Sequence, residues 1–462
     1  MSHRGPPLRN SWLASGNLVP RVLARPLRAF LRTEASGGIV LLAATVAALA
    51  WANSPFAQSY ESLWHTEVRL ALGSLELVQD LRHWVNDGLM TLFFFVVGLE
   101  IKRELVAGEL NDARKALVPV VAAIGGMAVP ALLYLAFNAG GSGATGWGIP
   151  MATDIAFAVG VLALLSDRIP SGLKVFLLSI AIVDDIGAIL VIALVYSEGI
   201  EVGWLVAAAA LLAFVVLLRE RKVYWTPIYV VVGAAVWLTT FESGVHATIA
   251  GAALGLLTPA RPTDTRGLAD VVEGTDALSV EPDAESLRAL QLQSNEVVSV
   301  AERLEHLLHP WTSYLIIPLF ALANAGVVLS GGRVSDAMTS GVALGIIAGL
   351  LVGKTIGISG ATWLVVRLNL GRLPETVAWT HVVGASIVAG IGFTVSLFIA
   401  GLAFDAAELV TDAKVGILVA SLIAGLTGAA VLTLGGPKGH EERETEMDRA
   451  RPIEGRDRIN DC

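Results

Sequence analysis

The chain has 462 residues, 54% of them hydrophobic and only 16% charged, with a formal net charge of -9. Soluble domains carry roughly 25% charged residues, so this balance excludes an ordinary soluble domain and points to a polytopic membrane protein. A single cysteine, Cys462, excludes an intrachain disulfide framework and a cysteine-based metal site. Residues 1–33 form a basic tail in which 21–32 reads as an amphipathic surface element interrupted by Pro26. No Ala-x-Ala-like site ends the first apolar run, so no cleavable signal is expected. Windows of about 20 apolar residues mark membrane helices. Twelve are read, near 35–52, 84–101, 116–137, 147–165, 171–196, 203–218, 225–240, 244–257, 309–329, 342–366, 378–404 and 414–434. The weakest separation is the seventh from the eighth, where only Phe241-Glu242-Ser243 intervenes. The fold class is therefore all-α, with a transmembrane domain over 34–435 and a charged tail over 436–462.

Lysine and arginine set the orientation. The N-terminal tail, the loop with Lys102, Arg103, Arg114 and Lys115, and the loop with Arg219, Arg221 and Lys222 are basic. The alternation holds along the chain, so both termini are expected in the cytoplasm. Between the first two spans, 68–78 alternates around Gly73-Ser74, as a two-residue II′ hairpin does. An isolated hairpin is marginal in water, so this one packs on the body or pairs with a second subunit. Residues 259–300 are polar and acidic and read as a mobile cytoplasmic linker.

Inside the spans lie groups that lipid disfavours: Asp154, the pair Asp184-Asp185, and Lys354. Each charge at the bilayer centre costs about 2.5–3.5 kcal/mol, and the four together on the order of 10 kcal/mol before pairing. They are the candidates for an ion or proton site. Gly148-Ile-Pro150 and Thr153 precede Asp154, which suggests a helix that breaks or starts late; a Thr–Asp helix cap is the plainer alternative. Asp184 and Asp185 diverge by about 100° on a helix, so one can face a pathway and the other a neighbouring helix. A structural ion-pair cluster remains open for either acid. Lys354 must lose its proton or find an acid, either Asp154 or one of the pair. Gly390 and Gly392, followed by Phe393-Thr394, read as close helix packing or as a second unwound segment. A further polar cluster closes the second span with Glu100, Arg103 and Glu104, and Glu305 precedes the ninth. With His246 these are candidates for pH sensing, although solvated helix ends look the same.

Several strings resemble the NhaA-type sodium/proton antiporters of bacterial inner membranes. They are Phe94-Phe-Val-Val-Gly-Leu-Glu-Ile-Lys-Arg-Glu-Leu105, Ala152-Thr-Asp-Ile-Ala-Phe157, Ala181-Ile-Val-Asp-Asp-Ile-Gly-Ala188, Ser243-Gly-Val-His-Ala-Thr248, Leu307-Leu-His-Pro-Trp311, Phe320-Ala-Leu-Ala-Asn-Ala-Gly326 and Gly390-Ile-Gly-Phe-Thr394. They run in family order over about residues 28–435. That family is itself a standard example of inverted-repeat transporters. The resemblance implies inverted repeats in spans three to five and ten to twelve, with the broken fourth and eleventh helices crossing near the midplane. It implies Asp184 and Asp185 as the cation and proton ligands. Thr153, Asp154 and Lys354 would support the site and balance charge, and Glu100, Arg103, Glu104 and Glu305 would respond to pH. It also implies a homodimer formed through the hairpin, a location in the inner membrane, and Na+, Li+ and H+ as the transported ions.

The function expected is thus pH-regulated, electrogenic Na+ (or Li+)/H+ antiport by alternating access, not an enzymatic reaction. No cofactor and no nucleic-acid partner are expected, and no P-loop for ATP occurs. The alternatives are a sodium-coupled solute symporter, an intramembrane aspartyl protease, whose Gly-x-Gly-Asp is absent here, and a passive cation channel.

Overall fold

The computed structural model describes residues 35–434 except 73–74, 166–168, 198, 222, 224–225, 262–297, 330–331 and 375. The basic element at 21–32, both tails and nearly all of the linker lie outside the described residues, as does the type of the hairpin turn. In chain order the helices are α1 (Ser36–Ala52), α2 (Ala57–Trp64), α3 (Met90–Val106), α4 (Ala113–Asn138), α5 (Ile155–Leu164), α6 (Ser171–Val195) and α7 (Val202–Glu220). There follow α8 (Thr226–Glu242), α9 (Thr248–Leu257), α10 (Val300–Trp311), α11 (Ile317–Asn324), α12 (Arg333–Thr339) and α13 (Gly341–Ala348). The last are α14 (Lys354–Arg367), α15 (Trp379–Val388), α16 (Phe393–Ala403) and α17 (Ala407–Leu434).

Apart from α2, α10 and α12, these helices are largely apolar on all sides, which suits segments that bury one face in protein and show the other to lipid. Among the described residues, six are long and apolar enough to cross a bilayer: Ala113–Asn138, the broken Ala144–Leu164, Ser171–Val195, Val202–Glu220, Gly341–Arg367 and Ala407–Leu434. Counting each of two bent pairs as one span raises this to eight. A helix or broken helix occupies each of the twelve windows read from the sequence, but several are short. The seventh and eighth windows hold α8 and α9, the latter of only 10 residues, parted by Gly244 at φ 77°.

The hairpin forms as β1 (Glu67–Leu72) and β2 (Leu75–Asp80), paired antiparallel with Leu72 opposite Leu75. That register leaves two residues for the connection, as the alternation implied. β2 runs through the short turn Leu81–His83 and a π-helical turn, Trp84–Leu89, into α3. The largest hydrophobic core runs from Leu41 and Phe94 through Ile149, Ile180 and Leu350 to Val388 and Phe398, and encloses the buried charges.

Small residues let the helices around that core approach closely. A Cβ on Gly125 of α4 would stand 2.4 Å from Gly357 O of α14, and one on Gly357 would stand 2.2 Å from Gly125 O. Gly357→Ala forces backbone apart, and such overpacking costs about 1–3 kcal/mol. Gly360→Ala, on the same helix with nothing within 4 Å of its Cβ position, should gain about 0.5–1 kcal/mol from helix propensity. Thermal unfolding in detergent should therefore show a lowered midpoint for the first and an unchanged or raised one for the second.

Candidate functional site

Two helices break where they meet. The first is a 3-10 helix, Ala144–Met151, an extended stretch over 152–154, and then α5. The second is α15 and α16, bent by 44° across 389–392. A break leaves N–H and C=O groups without helical partners, which lipid cannot satisfy. Here the breaks satisfy one another: Asp154 N donates to Ile391 O at 2.6 Å, and Ser396 Oγ to Ile149 O at 2.7 Å. Gly392 permits the approach, since a Cβ there would meet Ser396 Oγ at 2.3 Å and Ala152 O at 3.0 Å. Gly390 is equally tight, its Cβ position lying 2.4 Å from Leu350 O. Gly390 and Gly392 thus serve both readings, an unwound segment and close packing.

Asp154 binds both broken helices. Its Oδ1 accepts from Phe157 N at 3.0 Å, capping α5, and its Oδ2 accepts from Thr394 N at 2.9 Å and Thr394 Oγ1 at 2.7 Å, at the start of α16. A carboxylate between two helix N-termini compensates two positive dipole ends at once. The cap and the broken helix, posed as alternatives, coexist. Thr394 stood inside the Gly-x-Gly-Phe-Thr string but was not singled out; a hydroxyl two residues after a glycine break was its signal.

Asp184 and Asp185 diverge on α6, as neighbours must. Asp184 is fully buried and forms an ion pair through Oδ2 with Lys354 Nζ. That settles the partner of Lys354 between the acids left open. Lys354 also donates to Thr153 Oγ1 at 3.0 Å. The Thr153 hydroxyl lies 2.8 Å from Asp184 Oδ2 and 3.0 Å from Ala389 O, and can donate to only one of them at a time. Asp184 Oδ1 has no hydrogen-bond partner among the described residues. Lys354 opens α14 directly after a π-helical turn, Gly349–Gly353, packed on Pro150 and Pro130 through Gly349 and Gly353.

Asp185 makes no hydrogen bond or ion pair among the described residues. It lines a cavity of about 480 Å³ with Asp154, Thr394, Glu100, Arg103 and Glu305. The acid facing the cavity is therefore Asp185, and the acid facing a neighbouring helix is Asp184. The same cavity joins the buried acids to the polar cluster at the far end of α3. There Arg103 pairs with Glu305 and lies 3.7 Å from Glu104 Oε1. Burial pushes Glu305 above the usual carboxylate range, against the pull of Arg103.

His246 departs from this group. Its Nε2 lies 2.7 Å from Tyr196 O, at the opposite end of α3 from Glu100. The cause is the parallel packing of α9 on α3, which sets Gly251 beside Thr91 and Gly255 beside Phe95 and Gly98. Residue 246 must then fall before the first turn of α3.

The sequence matches the family model described as Na+/H+ antiporter 1 over residues 28–432. It is 48% identical over 422 residues to the Na(+)/H(+) antiporter NhaA of Rhodopirellula baltica, covering 90% of this chain and 95% of that protein. It is 48% identical over 441 residues to Na(+)/H(+) antiporter NhaA 2 of Sorangium cellulosum, covering 92% and 93%.

Lys354→Ala leaves Asp184 buried without its cation, and breaking such a pair costs about 3–5 kcal/mol. Lys354→Met combined with Asp184→Asn removes both charges and should lose much less. Thermal unfolding in detergent separates the two, and equal losses would show that the pair does not balance the site.

Proposed function

The chain belongs to the Na+/H+ antiporter 1 family, and on that premise we propose that Asp184 and Asp185 are its exchange site, where Na+ or Li+ competes with protons. The protein is a multi-pass membrane transporter, not an enzyme, and needs no cofactor. The aspartyl-protease alternative falls with that membership. One observation carries the reading of the site: the cavity reaches Asp185, next to an Asp184 whose Oδ1 is unpartnered among the described residues. Carboxylate and hydroxyl oxygens are the ligands a small hard cation takes. Asp185, Asp184 Oδ1 and Thr153 supply that chemistry.

The cavity face carrying Glu100, Arg103 and Glu305 is the cytoplasmic one by the distribution of lysine and arginine, and the hairpin face is external. Both termini are then cytoplasmic, and the membrane is the bacterial inner membrane. Na+ reaching Asp185 from the cytoplasm displaces its proton; a second proton leaves the Asp184–Lys354 pair. Two protons for one monovalent ion move one net charge per cycle, which makes exchange electrogenic. The two broken helices are the corresponding members of inverted repeats, and alternating access turns on their shared contact at Asp154. The hairpin pairs with a second subunit, since two strands alone are marginal.

The Glu305 cluster regulates the mouth of the cavity. A carboxylate raised in the folded state contributes stability below its unfolded value and loses it as pH rises through the folded one. The contact of α10 with α3 therefore loosens as pH rises through the raised value of Glu305, and activity rises with it.

Two measurements test this reading. Asp185→Asn should abolish sodium-driven proton movement in everted vesicles while the protein still inserts and purifies; full retained exchange overturns the assignment. Glu305→Gln should shift the midpoint of the pH–activity profile by about one pH unit, and an unchanged pH profile removes Glu305 from regulation.

A further inference from the structure

At the other end of α3 two histidines bracket one carboxylate. Asp80 closes β2 and caps the turn into α3, its Oδ1 accepting from His83 N at 2.8 Å. His83 Nδ1 lies 2.6 Å from the same oxygen, and His65 Nδ1 lies 3.1 Å from Asp80 Oδ2. The second nitrogen of His65, Nε2, lies 3.4 Å from Glu61 Oε2, which Arg82 Nη2 also reaches at 3.2 Å. The remaining charged and titratable groups nearby are Tyr60 on α2, Glu67 and Arg69 on β1, and Asp87 before α3. His246 from the α8–α9 link and Lys414 from α17 complete them.

A neutral imidazole has one N–H and one lone pair, whereas an ionised carboxylate only accepts. Between Glu61 and Asp80, neutral His65 satisfies one acid and turns a lone pair toward the other. Only the imidazolium donates to both. We propose that His65, Asp80 and His83 form an external pH-operated clasp that fastens α2 and the hairpin to the start of α3 when both imidazoles are charged. The placement of this face outside the membrane rests on the orientation given under Proposed function.

The acid partner remains available over the required range. Burial raises Asp80, but hydrogen bonds from the backbone and ring of His83 and from His65 outweigh it, and the net direction is downward. A depressed carboxylate contributes above its unfolded value and is lost as pH falls through the folded one. The clasp thus closes with protonation, since Asp80 stays ionised over the range in which a histidine side chain can gain charge. Both histidine side chains are 58% exposed, so external protons reach them directly and the bias is small.

The position gives the clasp its effect. His83 leads through the π-helical turn into α3, whose far end carries Glu100, Arg103 and Glu104. Lys414, within electrostatic reach of Arg82 and Glu61, sits on α17, which packs on the α16 that presents Thr394 to Asp154. Closing the clasp holds the external ends of these helices together and slows the change that exposes Asp185 to the outside.

The test is isotopic Na+/Na+ exchange in proteoliposomes of right-side-out orientation, with the internal pH fixed and the external pH varied between about 5.5 and 8.5. Protons also compete for Asp185 from outside, so the comparison is between the wild type and His65→Gln/His83→Gln. The wild type should slow about two- to fivefold more than the double variant as the external pH falls through the imidazole range. Coincident external profiles overturn the clasp. Should the variants fail to fold, hydrogen exchange over residues 57–89 of the wild type in detergent, corrected for intrinsic rates, should slow at the acid end. Equal protection at both ends overturns the clasp as well. Absence of any wild-type Na+ exchange would instead count against the exchange-site reading, and the hydrogen-exchange result stands apart from it.

Discussion

The structure depends on a constraint of solvent: in lipid, every backbone group that leaves a helix, and every charge, must find its partner inside the protein. Asp154 meets it for two helices together, capping α5 through Phe157 N and holding the start of α16 through Thr394. That single carboxylate ties the two breaks into one object. The extended stretch at 152–154 and the bend at 389–392 are stable because each supplies what the other lacks. Gly390 and Gly392 are required for the same reason, as any Cβ would push the breaks apart.

The adjacent acids on α6 divide the work that Asp154 leaves. Asp184 is closed off by Lys354 and Thr153, while Asp185 opens on the cavity. Neighbouring residues on a helix cannot face one way, so an Asp-Asp pair yields one acid paired with a neighbouring helix and one facing the cavity. The Thr153 hydroxyl sharpens this division. Its one proton serves either Asp184 or Ala389 O, so a change in charge at Asp184 is felt at the break of the second helix.

Much of this was legible in the sequence because lipid makes charges conspicuous. Asp154, Asp184, Asp185 and Lys354 announced themselves by cost alone, and the Leu72–Leu75 register of the hairpin followed from alternation around two turn residues. Less legible was anything set by helix phase. The π-helical turn Gly349–Gly353 inserts one residue per turn relative to an α-helix and re-aims Lys354, so counting by 3.6 could not say which acid it reaches. His246 was misgrouped because its string is polar and near other candidates in kind, while the parallel packing of α9 on α3 puts it at the opposite end. Thr394 was passed over because a threonine in an apolar run has little cost and hence little signal. The number of spans suffers similarly, since short helices such as α9 are apolar yet fall below the length a crossing requires.

If Asp184 and Asp185 are the exchange site proposed above, Lys354 also explains how an ion can leave it as well as fill it. A pair of bare carboxylates in a low-dielectric cavity would hold Na+ strongly, and a transporter gains nothing from a site that does not release. An ammonium beside Asp184 balances one acid in the empty site, so an arriving ion must displace that proton as well as the one on Asp185. The attraction is thereby lowered by the cost of freeing the Lys354 proton and falls below that of two bare carboxylates. The same lysine keeps the empty site from collapsing or filling with protons at both acids. Stability of the unloaded protein and modest affinity for the loaded ion are then two results of one buried interaction.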